Sequence, residues 1–170
     1  EDAYTPDKRI DMRPEYPSIV YSRILKSIYP DVPIILGGIE ASLRRLVHYD
    51  YWQNKLLPGM SILSPADLII YGMGELPLAE VVERLKAGTG IAELRKILQT
   101  TYAVDAQDFQ PQEGDLHLFS YEECLKDKKK QAMNFKHIEE ESNKFHASRI
   151  VQPCGDRVII VNPPFPPMTT

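Results

Sequence analysis

The chain has 170 residues, enough for one ordinary domain and too few for two comfortable ones. Its 43% hydrophobic and 26% charged content is that of a soluble globular protein, and no apolar run approaches the ~20 residues that cross a bilayer. A net charge of −4 excludes a basic footprint for nucleic acid, and Cys124 and Cys154 stand too far apart for a metal-ligand pair, which suits free thiols in a reducing, cytoplasmic setting.

Residues 1–16 are polar and aperiodic and read as an extended arm. The opening Glu1-Asp2-Ala3-Tyr4 and the closing Pro166-Pro167-Met168-Thr169-Thr170 read as cut ends, with no signal-peptide pattern at the first. From Pro17, Val20, Ile24 and Ile28 recur at helical spacing, and Pro30 stops that helix. Ile34-Ile35-Leu36 is short, branched and unalternating, the pattern of a strand covered on both faces. Gly37 and Gly38 follow, then a short helix over Glu40–Val47 and the loop segment His48–Trp52. A second strand, Asp67–Tyr71, runs into Gly72-Met73-Gly74-Glu75. An amphipathic helix marked by Leu78, Val81, Val82 and Leu85 comes next, with Gly88 at its end. Ile91, Leu94, Ile97 and Leu98 predict one more short helix, and Tyr102–Val104 a brief strand.

Beyond residue 115 the chain turns polar. Ser120 and Glu123, in capping-box spacing, open a long helix to about Phe145. The Arg149–Val151 and Arg157–Val161 runs flank Pro153-Cys154-Gly155-Asp156 as a β-hairpin, and Asn162–Pro167 is a stiff proline-rich spacer. The expected class is α/β: a partial Rossmann-like parallel sheet with flanking helices, plus an appended long helix and hairpin. It divides into 1–115, 116–162 and a linker at 163–170.

Both strand ends, Gly37-Gly38-Ile39-Glu40 and Gly72-Met73-Gly74-Glu75, place glycines and a carboxylate at a strand-to-helix turn. Such turns expose main-chain N–H groups to a ligand; they also serve simply to pack a helix closely on a sheet. Arg44, Arg45 and His48 are spaced so that either arginine shares a helical face with the imidazole. They form an anion clamp or a solvated face pairing with Asp50 or Asp67. His48-Tyr49-Asp50-Tyr51-Trp52 packs three aromatics into five residues, either to line a flat ligand or partner or to plug the sheet edge. His117, His137 and His146 stand singly, without metal-ligand spacing.

The strings EDAYTPD, VPIILGGIEASLRRLVHYDYW, ADLIIYGMGELPL and VNPPFPP together resemble the YgiQ family of radical S-adenosylmethionine proteins across essentially the whole chain. The resemblance implies the second half of a cobalamin-binding-type Rossmann domain, upstream of a radical core. In the family a Cys-x3-Cys-x2-Cys triad holds a [4Fe–4S] cluster beside S-adenosylmethionine. That triad is missing here, as are the first strands of the Rossmann-like domain, and Cys124 and Cys154 do not replace it. The expectation is therefore a non-catalytic accessory segment that caps the radical core of its own parent chain and helps position a substrate or corrinoid. It holds no cofactor of its own, and a second copy could join it. No histidine is assignable as a cobalt ligand. A stand-alone nucleotide-binding module and a pure interdomain scaffold are the alternatives.

Overall fold

The computed structural model describes residues 7–10 and 12–166; the arm's first six residues, Asp11 and the last four residues of the proline-rich run lie outside the described set. The first helix, α1 (Pro17–Ile28), matches its expected span, with Pro17 in the first turn where its missing N–H costs nothing. Strand β1 (Ile35–Leu36) feeds α2 (Gly38–Leu43), which starts two residues before and stops four residues before the span the spacing predicts. His48–Trp52 is not a loop throughout: β2 (His48–Asp50) pairs antiparallel with β3 (Lys55–Leu57) in a separate small hairpin. A one-turn helix α3 (Met60–Leu63), strand β4 (Leu68–Ile70) and helix α4 (Glu75–Lys86) follow. Gly88, at φ +79, ends α4: Thr89 N–H returns to Arg84 O and Gly88 N–H to Leu85 O, both at 2.9 Å, closing a Schellman motif.

After α5 (Ile91–Leu94) come β5 (Thr100–Asp105) and the short β6 (Leu116–His117). The expected long helix is two: α6 (Tyr121–Lys126) and α7 (Lys128–Ser142). Ser120 and Glu123 form the expected capping box on α6. Asp127 breaks the run because its carboxylate accepts from Lys129 N at 2.9 Å, capping a new helix instead of continuing the old one. The hairpin is β7 (Ile150–Cys154) and β8 (Arg157–Val161), turned at Gly155, φ +62.

One six-stranded sheet runs in the order β1-β4-β5-β8-β7-β6, with β1–β4 and β6–β7 parallel and the remaining pairs antiparallel. The α/β class with flanking helices holds. The hairpin expected beside the sheet supplies two strands within it: β8 pairs with β5 from Thr101–Val161 to Asp105–Arg157. Alternation sorts the core. Leu68, Ile70, Tyr102, Val158 and Ile160 pack with Val81, Leu94 and Ile97 beneath α4 and α5. Ile159, Val161 and Ile150 turn the other way, toward Leu46, Ile62, Tyr121 and Ile138. Each such side chain contributes about 1.5–3 kcal/mol on burial, and a one-residue slip would turn all of them to the wrong layer. Among the described residues no helix is long and apolar enough to cross a membrane.

Candidate functional site

The two glycine turns meet. Because β1 and β4 are parallel neighbours, Gly37, Gly38, Gly72, Gly74 and Glu75 line one cleft of about 390 Å³ at their carboxyl ends, with Ile35, Leu36, Ile70 and Leu78. Gly38 and Gly72 sit at φ +82 and +66, conformations that favour glycine, and a Cβ on Gly74 would come within 3.0 Å of Ile70 Cγ2. Ser42 Oγ accepts from Gly72 N–H at 3.2 Å. Leu78 in the lining is exposed, as are Ile39, Met73 and Leu76, each next in sequence to a lining residue. Glu75 supplies the one ionisable side chain in the lining.

Glu40, Arg44 and Asp50 serve a different place. Glu40 accepts from Ser18 N at 3.1 Å and Ser18 Oγ at 2.5 Å, so it caps α1 from outside where Tyr16 offers no side-chain cap. Arg44 bridges Glu40 at 3.4 Å and Asp50 at 3.5 Å and lies over the Tyr16 ring at 5.0 Å. The Asp50 side chain is fully buried and also accepts from Gln53 N at 2.8 Å and the Tyr16 hydroxyl at 3.0 Å. The Gln53 N–H does most to hold this carboxyl below its usual range; burial opposes it, and Tyr16 and Arg44 add to the lowering. The network locks the β2–β3 hairpin to the start of α1.

Arg45 lies apart again, 4.6 Å over the Tyr71 ring, with Nη1 on the Ser42 carbonyl at 2.5 Å. Burial lowers its pKa. Burial likewise pushes the Tyr71 phenol up to about 12, and its hydroxyl donates to Asn162 O at 2.6 Å. His48 is half-buried, with Nδ1 3.1 Å from Leu46 O. α2 ends before both arginines, so neither shares a helical face with His48. Tyr49 is bonded to Asn54, while Tyr51 and Trp52 stack edge to face at 5.4 Å on the hairpin tip. Trp52 is 80% exposed, so the aromatics seal no edge.

Sequence reading missed Gln99. At φ +60, it donates Nε2–H to Tyr71 O at 2.8 Å and Met73 O at 2.6 Å, pinning the second glycine turn from below. Its own N–H reaches Pro163 O at 2.8 Å, and its Oε1 accepts from Phe165 N at 3.4 Å. A glutamine between two apolar segments carries no signal of such a role; only the fold brings its partners together.

Neither cofactor class implied by the resemblance finds a full donor set here. Cys124 and Cys154 are both buried and far apart in the chain, and among the described residues no three His, Cys, Asp or Glu side chains group as metal ligands, so an iron–sulfur cluster does not fit. The glycine cleft would admit a flat ligand edge against bare main chain, yet no histidine lines it to serve as an axial cobalt ligand.

Comparison with known proteins places the chain. The family model described as Radical SAM N-terminal matches residues 1–170. A UPF0313 protein of Porphyromonas gingivalis is 63% identical over all of this chain and 27% of its own length. One of Bacteroides thetaiotaomicron is 58% identical over 99% of this chain and 29% of its own, and one of Methanocella arvoryzae 38% identical over 100% and 28%. The chain thus spans a little over a quarter of these curated relatives. No solved structure matches it. With the family model covering every residue, the chain belongs to the Radical SAM N-terminal family.

Proposed function

We propose that the chain is a YgiQ-type accessory segment, without catalytic activity alone, that caps the radical core of its parent protein and positions a substrate or corrinoid there. The parent's [4Fe–4S] cluster and S-adenosylmethionine would supply radical initiation, outside this chain. One observation carries the reading: a cleft walled by glycine main chain, with exposed Leu78 in its lining and exposed Ile39, Met73 and Leu76 each next in sequence to a lining residue. Main-chain walls admit close approach of a flat group, and exposed apolar side chains on the same turns are the kind of surface another domain covers. A nucleotide-binding module is less well supported, because the lining offers no arginine or lysine to a phosphate.

The test uses the full-length protein, purified anaerobically from cells supplied with cobalamin. Iron at about four per chain without cobalt supports a cap. Stoichiometric cobalt makes the segment a corrinoid holder, and no iron refutes the radical reading. Met73→Glu and Leu78→Glu on the rim are expected to keep the iron and lose turnover; wild-type turnover in both would remove the cleft from the function.

A further inference from the structure

The stripe that marks α1 in the sequence is the face that the structure turns outward. Val20, Ile24 and Ile28 form one row along the helix, and Tyr21, Leu25 and the C-cap Tyr29 form the next. All six are between 36% and 59% exposed, and no charged residue interrupts either row. Val32, just beyond, is exposed as well. The buried residues of α1 are Ile19 and Ser22, and Ile19 is the residue of the helix that enters the core, beside Ala41, Met60 and Ile69.

α1 is fastened to its own domain by its polar side instead. Ser18 bonds Glu40, Arg23 donates to Leu63 O at 2.8 Å, and Lys26 reaches Asp67 at 3.2 Å and Val32 O at 3.1 Å. A helix in a folded protein draws most of its stability from burying its apolar face, and one held on its inner side but apolar on its outer side suits a place between two layers. Contiguous exposed apolar surface of this kind marks a face that something covers. It lies apart from the glycine cleft, whose lining includes no residue of α1.

Two considerations identify the cover. Rows spaced i, i+4 leave a groove between them that fits the matching row of a second helix, crossing at about −50°. The face is also small: a 12-residue helix is about 18 Å long and ~10 Å wide, so it offers roughly a few hundred Å², against the ~800 Å² per partner that a stable complex of separate chains buries. A segment of the same polypeptide escapes the loss of translational freedom that separate partners incur. The chain spans a little over a quarter of its curated relatives, so most of such a parent polypeptide lies outside it. We infer that the outer face of α1 seats an amphipathic helix from the part of the parent polypeptide outside these 170 residues. The inference does not rest on what the glycine cleft holds.

Photo-cross-linking of the full-length protein tests it, with p-benzoylphenylalanine placed at Tyr21 or Ile28, both exposed in this chain. The expected product is a cross-link within one polypeptide, to a peptide outside the 170 residues whose apolar side chains recur at helical spacing. A cross-linked dimer, a cross-link confined to residues 1–170 or to a peptide without that spacing, or no cross-link from either position overturns the inference. Ile24→Cys and Leu25→Cys measure coverage independently, since both positions are half-exposed here and neither change opens the core. Maleimide labelling at each, followed by mass spectrometry of the labelled peptide, is expected to be at least about tenfold slower in the folded full-length protein than in urea. A smaller slowing at both positions overturns the inference.

Discussion

Two glycines with the same backbone geometry make opposite predictions. Gly59 (φ −66, ψ 158) and Gly90 (φ −73, ψ 157) each precede a one-turn helix, in a conformation open to any residue. Alanine at either position restricts the unfolded chain, a gain of about 0.4–1 kcal/mol, and is a poorer N-cap by a few tenths; both effects cancel between the two sites. The surroundings do not cancel. A Cβ at Gly59 would lie 2.5 Å from Arg45 O and 2.7 Å from Ile159 Cδ1, whereas nothing lies within 4 Å at Gly90. Overpacking costs about 1–3 kcal/mol, and here relief is hard. The neighbouring Arg44 carbonyl is held by Met60 N–H at 2.7 Å, and Ile159 is fully buried in the sheet. Gly59→Ala is therefore expected to be about 3 kcal/mol less stable than Gly90→Ala, read as urea midpoints at equal m. A difference under about 0.5 kcal/mol would refute the close approach of Gly59 to the Arg45 backbone and to Ile159 of β8.

Other expectations follow from the buried groups. Asp50 is held below its usual range chiefly by the Gln53 N–H, so its stabilisation is fully present above an unfolded pKa of about 3.9 and is lost as pH falls through the lower folded value. Asp50→Asn should lower stability at neutral pH and flatten that acid-side decline; parallel curves for variant and wild type would contradict it. Burial pushes the Cys154 thiol up to about 11, with the Glu122 charge adding to it, and raises Cys124 as well. Neither should react with a thiol reagent at about pH 8 until the protein unfolds, and rapid native labelling would show an open site. Glu40→Ala should cost about 1–2 kcal/mol by uncapping α1, and Ser18→Ala should add little on top; full additivity would deny their bond. Trp52 should fluoresce like free tryptophan in this chain, and a shift to the blue in the full-length protein would place the hairpin tip under another domain; unchanged emission would leave the tip outside any interface.

The glycine cleft was legible because local sequence decides it: unalternating runs make doubly covered strands, and two of them side by side bring their following turns together. The same reasoning applied to Val158–Val161 points to a strand covered on both faces. Its place in the middle of the sheet depends on pairing with β5, some 55 residues earlier, which no local pattern encodes. The split of the long helix was within reach, since Asp127 followed by lysines reads as a cap as well as it reads as a surface residue. The scattering of Arg44, Arg45 and His48 was not. Helical spacing brings residues together only while the helix lasts, and α2 stops at Leu43, leaving each to different partners: Arg44 to Tyr16 and Asp50, Arg45 to Tyr71, and His48 to the Leu46 carbonyl. The aromatic segment misled because ring density suggested burial. In the hairpin the alternation turns the Asp50 carboxylate inward, where three donors satisfy it, and leaves Tyr49 outside.

Gln99 ties two ends of the molecule to one peg. Its side chain grips the floor of the second glycine turn, and its main chain and amide oxygen grip Pro163 and Phe165 as the chain leaves β8. Prolines at 163, 164 and 166 stiffen that departing segment, so it acts as a lever with its fulcrum beside the cleft. A tilt of whatever follows Pro166 would be transmitted through one glutamine to the backbone at Met73. Shortening that side chain, as in Gln99→Ala, would unhook the lever from the cleft floor.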